Sequence, residues 1–267
     1  MSRILGVHGI GKYRYHRAAG SAEGAAAALG AEWAGHLGDP RVELAVAYYA
    51  HHLHRGTPQG PEDDPAGLEP EAQELLVEWV ETLQPVPSIA QGPRTARARQ
   101  AADWLTRNFG AAARVFAIAF CREVHTYLST PDSPRRMLAR RAVADALAAH
   151  RPTIVIAHSL GSVVAYETLW AHPEHDVDLL ITIGSPLAMP GVVLPRLLPG
   201  ADTGGRPPRV RRWLNIADVG DIVAIPRSGL GAHFAGVERD ITTTIGDWDF
   251  HTAGGYLRSP DLIKAIG

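Results

Sequence analysis

"TIVIAHSLGSVVAYETLW", residues 153 to 170, runs a short apolar stretch into Ala157-His158-Ser159-Leu160-Gly161 and then into a helical pattern. A short β-branched run that ends in such a turn suits a strand buried in a parallel sheet, where both faces must be apolar. "RILGVHG" (3 to 9) and "DLLITIGS" (178 to 185) share that character. "RVELAVAYY" (41 to 49) and "RVRRWLNIAD" (209 to 218) alternate more and add two further expected strands. Between the first two strands in chain order lies the alanine-rich "RAAGSAEGAAAALGAEWAGHLG", long enough for one crossover helix. The alternation of strand and helix gives an α/β fold with a mostly parallel sheet and helices on both faces.

The chain has 267 residues, 46% of them apolar, enough for a substantial core. We expect a single domain over 1–267 with a helical insertion at about 56–130. The Gly/Pro-rich acidic segment 56 to 70 reads as a loop. Residues 71 to 83 and 96 to 128 follow as helices, with Gly110 a break in the second. The insertion reads equally as extra helices packed on the sheet or as a lid. "MLARRAVADALAAH" (137 to 150) is an amphipathic helix feeding directly into the 153 to 159 strand, and the Pro- and Gly-rich 190 to 209 is a long loop.

A net charge of -2 gives no bulk attraction for nucleic acid or anionic membrane, so nucleic acid is not an expected partner. The single cysteine, Cys121, excludes an intramolecular disulfide and sits in a helix flank, where a packed, inert thiol is expected. The first residues pass straight into a strand pattern with no basic-then-apolar leader, and no segment is long enough to span a bilayer, so a cytoplasmic location is expected.

The 153 to 170 segment resembles the nucleophile elbow of the α/β-hydrolase superfamily, G-x-S-x-G, with Ala157 in place of the first glycine. The strand before the pentapeptide and the helix after it make the match specific beyond five letters. The resemblance implies an acid and then a histidine, in that order, C-terminal to Ser159. "RWLNIADVGDIVAIP" (212 to 226) carries Asp218 and Asp221, and its ending resembles the acid loop of lipase-like hydrolases. Asp221 is the first choice of acid and Asp218 the alternative, otherwise a brace for the loop. "DWDFHTAGGYLRSP" supplies His251 as the expected base, with His233 as competitor.

"GVHGIGKYR" (6 to 14) admits two readings, because Gly6 to Lys12 also spells the G-x-x-x-x-G-K frame of a phosphate loop. Tyr13 stands where that loop needs Ser or Thr for the metal ion, and "KYRYHRAAG" shows no clear helix start. In the hydrolase reading the segment is the oxyanion loop, with the backbone N–H groups of Ile10 and Leu160 as donors, Gly9 and Gly11 allowing close approach and His8 fixing the loop. Lys12 and Arg14 are then free to meet an acidic group on a substrate.

The further pocket-lining candidates are His8, Gly9, Gly11, His158, Tyr48, Leu187 and Met189, the last two from "TIGSPLAMPG" (182 to 191), which resembles a pocket loop of lipase- and thioesterase-like hydrolases. "AYYAHHLHR" (47 to 55) invites a metal reading, but histidines 51 and 52 on a strand would face opposite ways and no ligand set completes them. No metal or cofactor is expected. The expected function is a serine hydrolase acting on an ester, thioester or amide, esterase- or lipase-like, with a small-molecule or acyl/peptidyl substrate. The same residues would serve an acyltransferase, or a cyclase or thioesterase that releases a chain, and the fold alone would serve a non-catalytic binding module.

Overall fold

The computed structural model describes residues 2–56, 61, 63–84, 89, 92–200, 204–246 and 251–267. Five strands form where the apolar runs foretell them: β1 (Ser2–Val7), β2 (Val42–Ala47), β3 (Ile154–His158), β4 (Val177–Ile183) and β5 (Val210–Asp218). A sixth, β6 (Arg239–Thr243), pairs parallel with β5 at one edge. Its sequence, RDITT, has no apolar run because most of its side chains are exposed, which is why composition does not reveal it.

The sheet is parallel throughout, in the order β2-β1-β3-β4-β5-β6. The chain therefore starts inside the sheet, steps outward to β2, and crosses back over β1 to begin β3. The order reverses between β1 and β3, and in open α/β sheets the crevice at the carboxyl ends of such a pair is where ligands bind.

The two-residue period of each strand divides the core in two. Ile4, Ile154, Ile156, Ile181, Ile183, Leu214 and Ile216 meet α2 (Ala22–Leu37), α9 (Ala253–Leu257) and α10 (Pro260–Ile266) on one face. Leu5, Val7, Val155, Ala157, Leu180 and Trp213 meet α4 (Pro70–Leu83), α5 (Arg94–Phe109), α6 (Ala111–Leu128), α7 (Pro134–His150) and α8 (Leu160–Ala171) on the other. The first ten residues of α8 are all buried, as expected of a helix apolar on every side.

The single crossover helix expected between β1 and β2 is two, α1 (Tyr13–Ala19) and α2. Gly20 at φ 73° ends the first, and Ser21 Oγ accepts the Gly24 N–H to begin the second. α1 buries none of its residues and has no side-chain cap, so it leaves no periodic signal. Gly110, at φ 87°, separates α5 from α6 as expected. Residues 50–53, expected at a strand end, form a helical turn, α3 (Ala50–Leu53).

One buried ion pair ties this layer together. Arg136 on α7 forms a forked contact with Glu167 on α8, with its Nε 2.9 Å from Oε2. Tyr127 on α6 donates to the same carboxylate at 2.7 Å, and Leu198 N–H donates at 3.1 Å. Both charged side chains are almost wholly buried. Glu167→Ala strands the guanidinium without a counter-charge and is expected to cost about 3–5 kcal/mol of unfolding free energy. In urea denaturation, the paired substitution Arg136→Met with Glu167→Leu is expected to recover most of that loss.

Candidate functional site

Ser159 stands between β3 and α8 with φ 54° and ψ -132°, a conformation that non-glycine residues rarely adopt. Three hydrogen bonds hold it there. Ser159 N–H donates to Ile183 O at 3.1 Å, and Ser159 O accepts from Ser162 N–H at 2.9 Å and from Ser162 Oγ at 2.7 Å. Ser162 Oγ is in turn 2.7 Å from Ser185 Oγ on the loop after β4.

The small residues of the turn are there because neighbouring groups are close. A Cβ at Gly161 would lie 2.3 Å from Val7 O and 2.4 Å from His8 O, so α8 packs directly on the backbone where β1 ends. A Cβ at Gly9 would lie 2.7 Å from Ser159 Cβ. Ala157 is fully buried on the other side of the turn and its methyl group is accommodated in the core.

Strand ends deliver the remaining members. Ser159 Oγ is 2.8 Å from Nε2 of His251, and Nδ1 of that ring is 2.7 Å from Oδ2 of Asp221. Asp221 follows β5 and His251 follows β6. Asp221 Oδ1 accepts the Val223 N–H at 2.8 Å, which fixes the carboxylate.

Asp218 does not take part in that chain. Its two carboxylate oxygens accept the N–H groups of Gly220 at 2.7 Å and Ile245 at 2.8 Å, the loop-bracing role. Among the described residues His233 contacts neither Ser159 nor Asp221. Two residues that sequence reasoning passed over complete the arrangement. Tyr256 on α9 donates its hydroxyl to Asp221 Oδ2 at 2.7 Å and accepts the Asp218 N–H at 2.8 Å. Gly184, at φ 52° after β4, leaves room that a Cβ would fill, 2.9 Å from Asp221 Oδ2 and 3.1 Å from His251 Cε1. The only sequence signal for either was proximity, Tyr256 to the histidine loop and Gly184 to the end of a strand.

The loop after β1 lies across from Ser159, since Val7 pairs with Ala157. Ile10 N–H has no protein acceptor among the described residues, and Leu160 occupies the first position of α8, where an N–H has no partner inside the helix. A cavity of about 530 Å³ opens here, lined by Ile10, Gly11, His158, Ser159 and His251 as well as by Phe116 and Ala119 of α6. Phe116 meets the His251 ring edge-on at 5.0 Å, so one face of the helical insertion roofs the site. The His158 ring packs on that of His251 at 4.8 Å, and burial together with the neighbouring His251 keeps it neutral.

Four expected pocket residues lie elsewhere. His8 is fully buried behind the loop, its Nδ1–H donating to Gly9 O at 2.8 Å and its Nε2 accepting the Tyr49 N–H at 3.1 Å. Tyr48 donates to Lys12 O at 2.9 Å and thus holds the loop from behind. Leu187 and Met189 are fully buried in the core on the face of the sheet covered by α4 to α8, and neither lines the Ser159 cavity.

α1 begins at Tyr13, directly after Lys12, so the missing helix start is no argument against the phosphate-loop reading. Tyr13 still lacks the metal-binding hydroxyl geometry of Ser or Thr, and Gly11 N–H is spent on the carboxylate of Glu123, 2.8 Å away. His51 and His52 do not face opposite ways either; on α3 their rings lie 3.8 Å apart. Among the described residues the one group within metal-ligand reach of itself is Glu69, Glu71 and His125, and it lies outside the Ser159 cavity with Glu69 already paired to Arg55. Cys121 is buried, which raises its thiol well above the usual range.

Comparison with protein-family models, with curated proteins and with solved structures finds no match to this chain. The six-stranded parallel sheet with its helices is compatible with an α/β-hydrolase-like fold. Among the described residues no helix is long and apolar enough to cross a membrane.

Buried His8 and partly buried Glu123, both packed around the loop, give opposite pH signatures. Burial pushes the His8 imidazole down from 6.5 to about 3, although Gly9 O works the other way. The unfolded chain binds that proton below 6.5 and the native chain does not, so this contribution is complete above 6.5 and is lost as pH falls toward 3. Burial pushes Glu123 up from 4.5 to about 7, against the Gly11 N–H and Arg122, so here the native state holds the extra proton and stability declines as pH rises from 4.5 to 7. Glu123→Gln removes the second effect alone. Its melting temperature, measured against the wild type by scanning calorimetry, is expected to gain progressively between pH 4.5 and 7.

Proposed function

We propose that the chain is a serine hydrolase that forms an acyl-enzyme on Ser159 from an ester, thioester or amide. The observation that carries this reading is the continuous hydrogen-bonded line Ser159 Oγ to His251 to Asp221, 2.8 and 2.7 Å.

A serine hydroxyl is a weak nucleophile at neutral pH, and His251 Nε2 is placed to take its proton as Oγ attacks the substrate carbonyl. The new Oγ–C bond converts the carbonyl oxygen to an oxyanion, which the Ile10 and Leu160 N–H groups stabilise. His251 then passes the proton to the leaving group as its bond to carbon breaks. Water enters, gives its proton to Nε2, attacks the acyl carbon and releases the acid as Ser159 recovers its proton. Asp221 holds the imidazole with Nδ1–H directed at it and balances the imidazolium charge, while Tyr256 holds Asp221.

Exposure to a fluorophosphonate followed by intact-mass analysis tests the proposal. A single adduct on Ser159 is expected for the wild type and none for Ser159→Ala or His251→Ala, whose turnover of an activated ester is expected to fall by about 10⁴ to 10⁶-fold. A folded wild type that takes no adduct and turns over no activated ester overturns it in favour of a binding module.

A further inference from the structure

The cavity beside Ser159 has two unlike ends. Near the nucleophile its walls are apolar, from Ile10, Phe116 and Ala119. The rest of its lining carries Lys12, Arg14 and Arg258 against a single carboxylate, Glu32. Three cations facing one anion is a local excess on a chain whose net charge is -2.

Internal pairing accounts for Arg14 but not for Lys12 and Arg258. Glu32 is held by the Tyr15 hydroxyl, and Arg14 donates to that same hydroxyl at 3.3 Å, so this carboxylate and Arg14 form one compensated unit. Arg258 has no carboxylate partner among the described residues; its guanidinium lies 2.8 Å from Nδ1 of His36, which fixes its direction without neutralising it. Lys12 is only partly exposed, and among the described residues its ammonium makes no hydrogen bond and no ion pair; it lies 5.8 Å from the centre of the Tyr15 ring, and the Glu32 and Glu123 carboxyls act on it only from a distance. Glu123, the next carboxyl along, is committed to Gly11 N–H.

A cation without a close counter-charge in a partly desolvated wall, as at Lys12, is unfavourable until an anion arrives, and it then binds that charge more strongly than an exposed side chain does; Arg258 is exposed and contributes through the direction that His36 gives it. Arg258 offers a planar fork suited to the paired oxygens of a carboxylate or phosphate, and Lys12 a compact point charge. Lys12 is two residues from Ile10, so an anion held there sits close to the carbonyl presented to Ser159.

We propose that Lys12 and Arg258 form an anion-recognition site, so that the substrate is an acyl compound carrying a carboxylate or phosphate. This rests on the reading of Ser159 as the acylated residue, but the binding itself does not. Arg14 and Glu32 line the same cavity, and its apolar residues receive the short carbon chain between the anion and the reacting carbonyl.

Ser159→Ala cannot form an acyl-enzyme, so calorimetric titration of this variant reads binding alone. Monoethyl succinate and phenyl phosphate are titrated as carboxylate and phosphate probes, with diethyl succinate as the uncharged control. At least one anionic probe is expected to bind about ten-fold or more tightly than the diester, to weaken as salt is raised, and to lose that advantage when Lys12→Met and Arg258→Met are added. The arm that binds names the group recognised. Equal affinity for charged and uncharged probes, no binding of any, or an advantage that survives the double substitution overturns the proposal. Anion binding to Ser159→Ala alongside a wild type that takes no fluorophosphonate would leave this site standing and remove the hydrolase reading instead.

Discussion

The backbone of Ser159, held at φ 54° by its bonds to Ile183 and Ser162, is the constraint on which the site depends. A residue in that conformation costs of order 1–3 kcal/mol, and it persists where the surroundings over-determine it. Here β3 is buried between β1 and β4, α8 is buried along most of its length, and Gly161 lets the helix rest on the backbone of Val7 and His8. The turn cannot relax without separating the sheet from its central helix. Its result is a hydroxyl raised to the carboxyl edge of the sheet, at the point where strand order reverses.

Everything else near Ser159 is fixed by what that edge presents. The ends of β4, β5 and β6 contribute Gly184, Asp221 and His251 in turn, and Tyr256 returns from α9 to lock the carboxylate. The loop after β1 is stiffened from behind by His8, Tyr48 and Tyr49. A neutral His8 serves because one nitrogen donates while the other accepts; a second proton would turn Nε2 against the Tyr49 N–H. From above, α6 closes the site with Phe116 and reaches the same loop through Glu123, so the insertion acts both as packed helices and as a roof.

How much of this was legible follows from how local each signal is. The strand, turn and helix around Ser159 lie within one short run, and the buried strands announce themselves by β-branched residues on both faces. Gly110 marked a helix break for the same reason. What the sequence left open turned on distant groups: His251 reaches Asp221 Oδ2 across 30 positions, while the Ile245 N–H, 27 positions on, occupies an oxygen of Asp218. Leu187 and Met189 look like pocket residues by context and are core by packing. β6 and α1 escaped notice because neither has an apolar stripe, and Glu123 because its partner, Gly11, is 112 positions away.

The proposed hydrolysis requires Ser159 to be acylated and then freed. Rapid mixing with 4-nitrophenyl acetate, read as nitrophenolate release on the millisecond scale, addresses it directly. A burst of about one nitrophenolate per chain before slower turnover is expected, with the acetyl group recovered on Ser159 after acid quench. Linear release with no burst and no acetylated Ser159, from protein that is folded and turning over the ester, would contradict it.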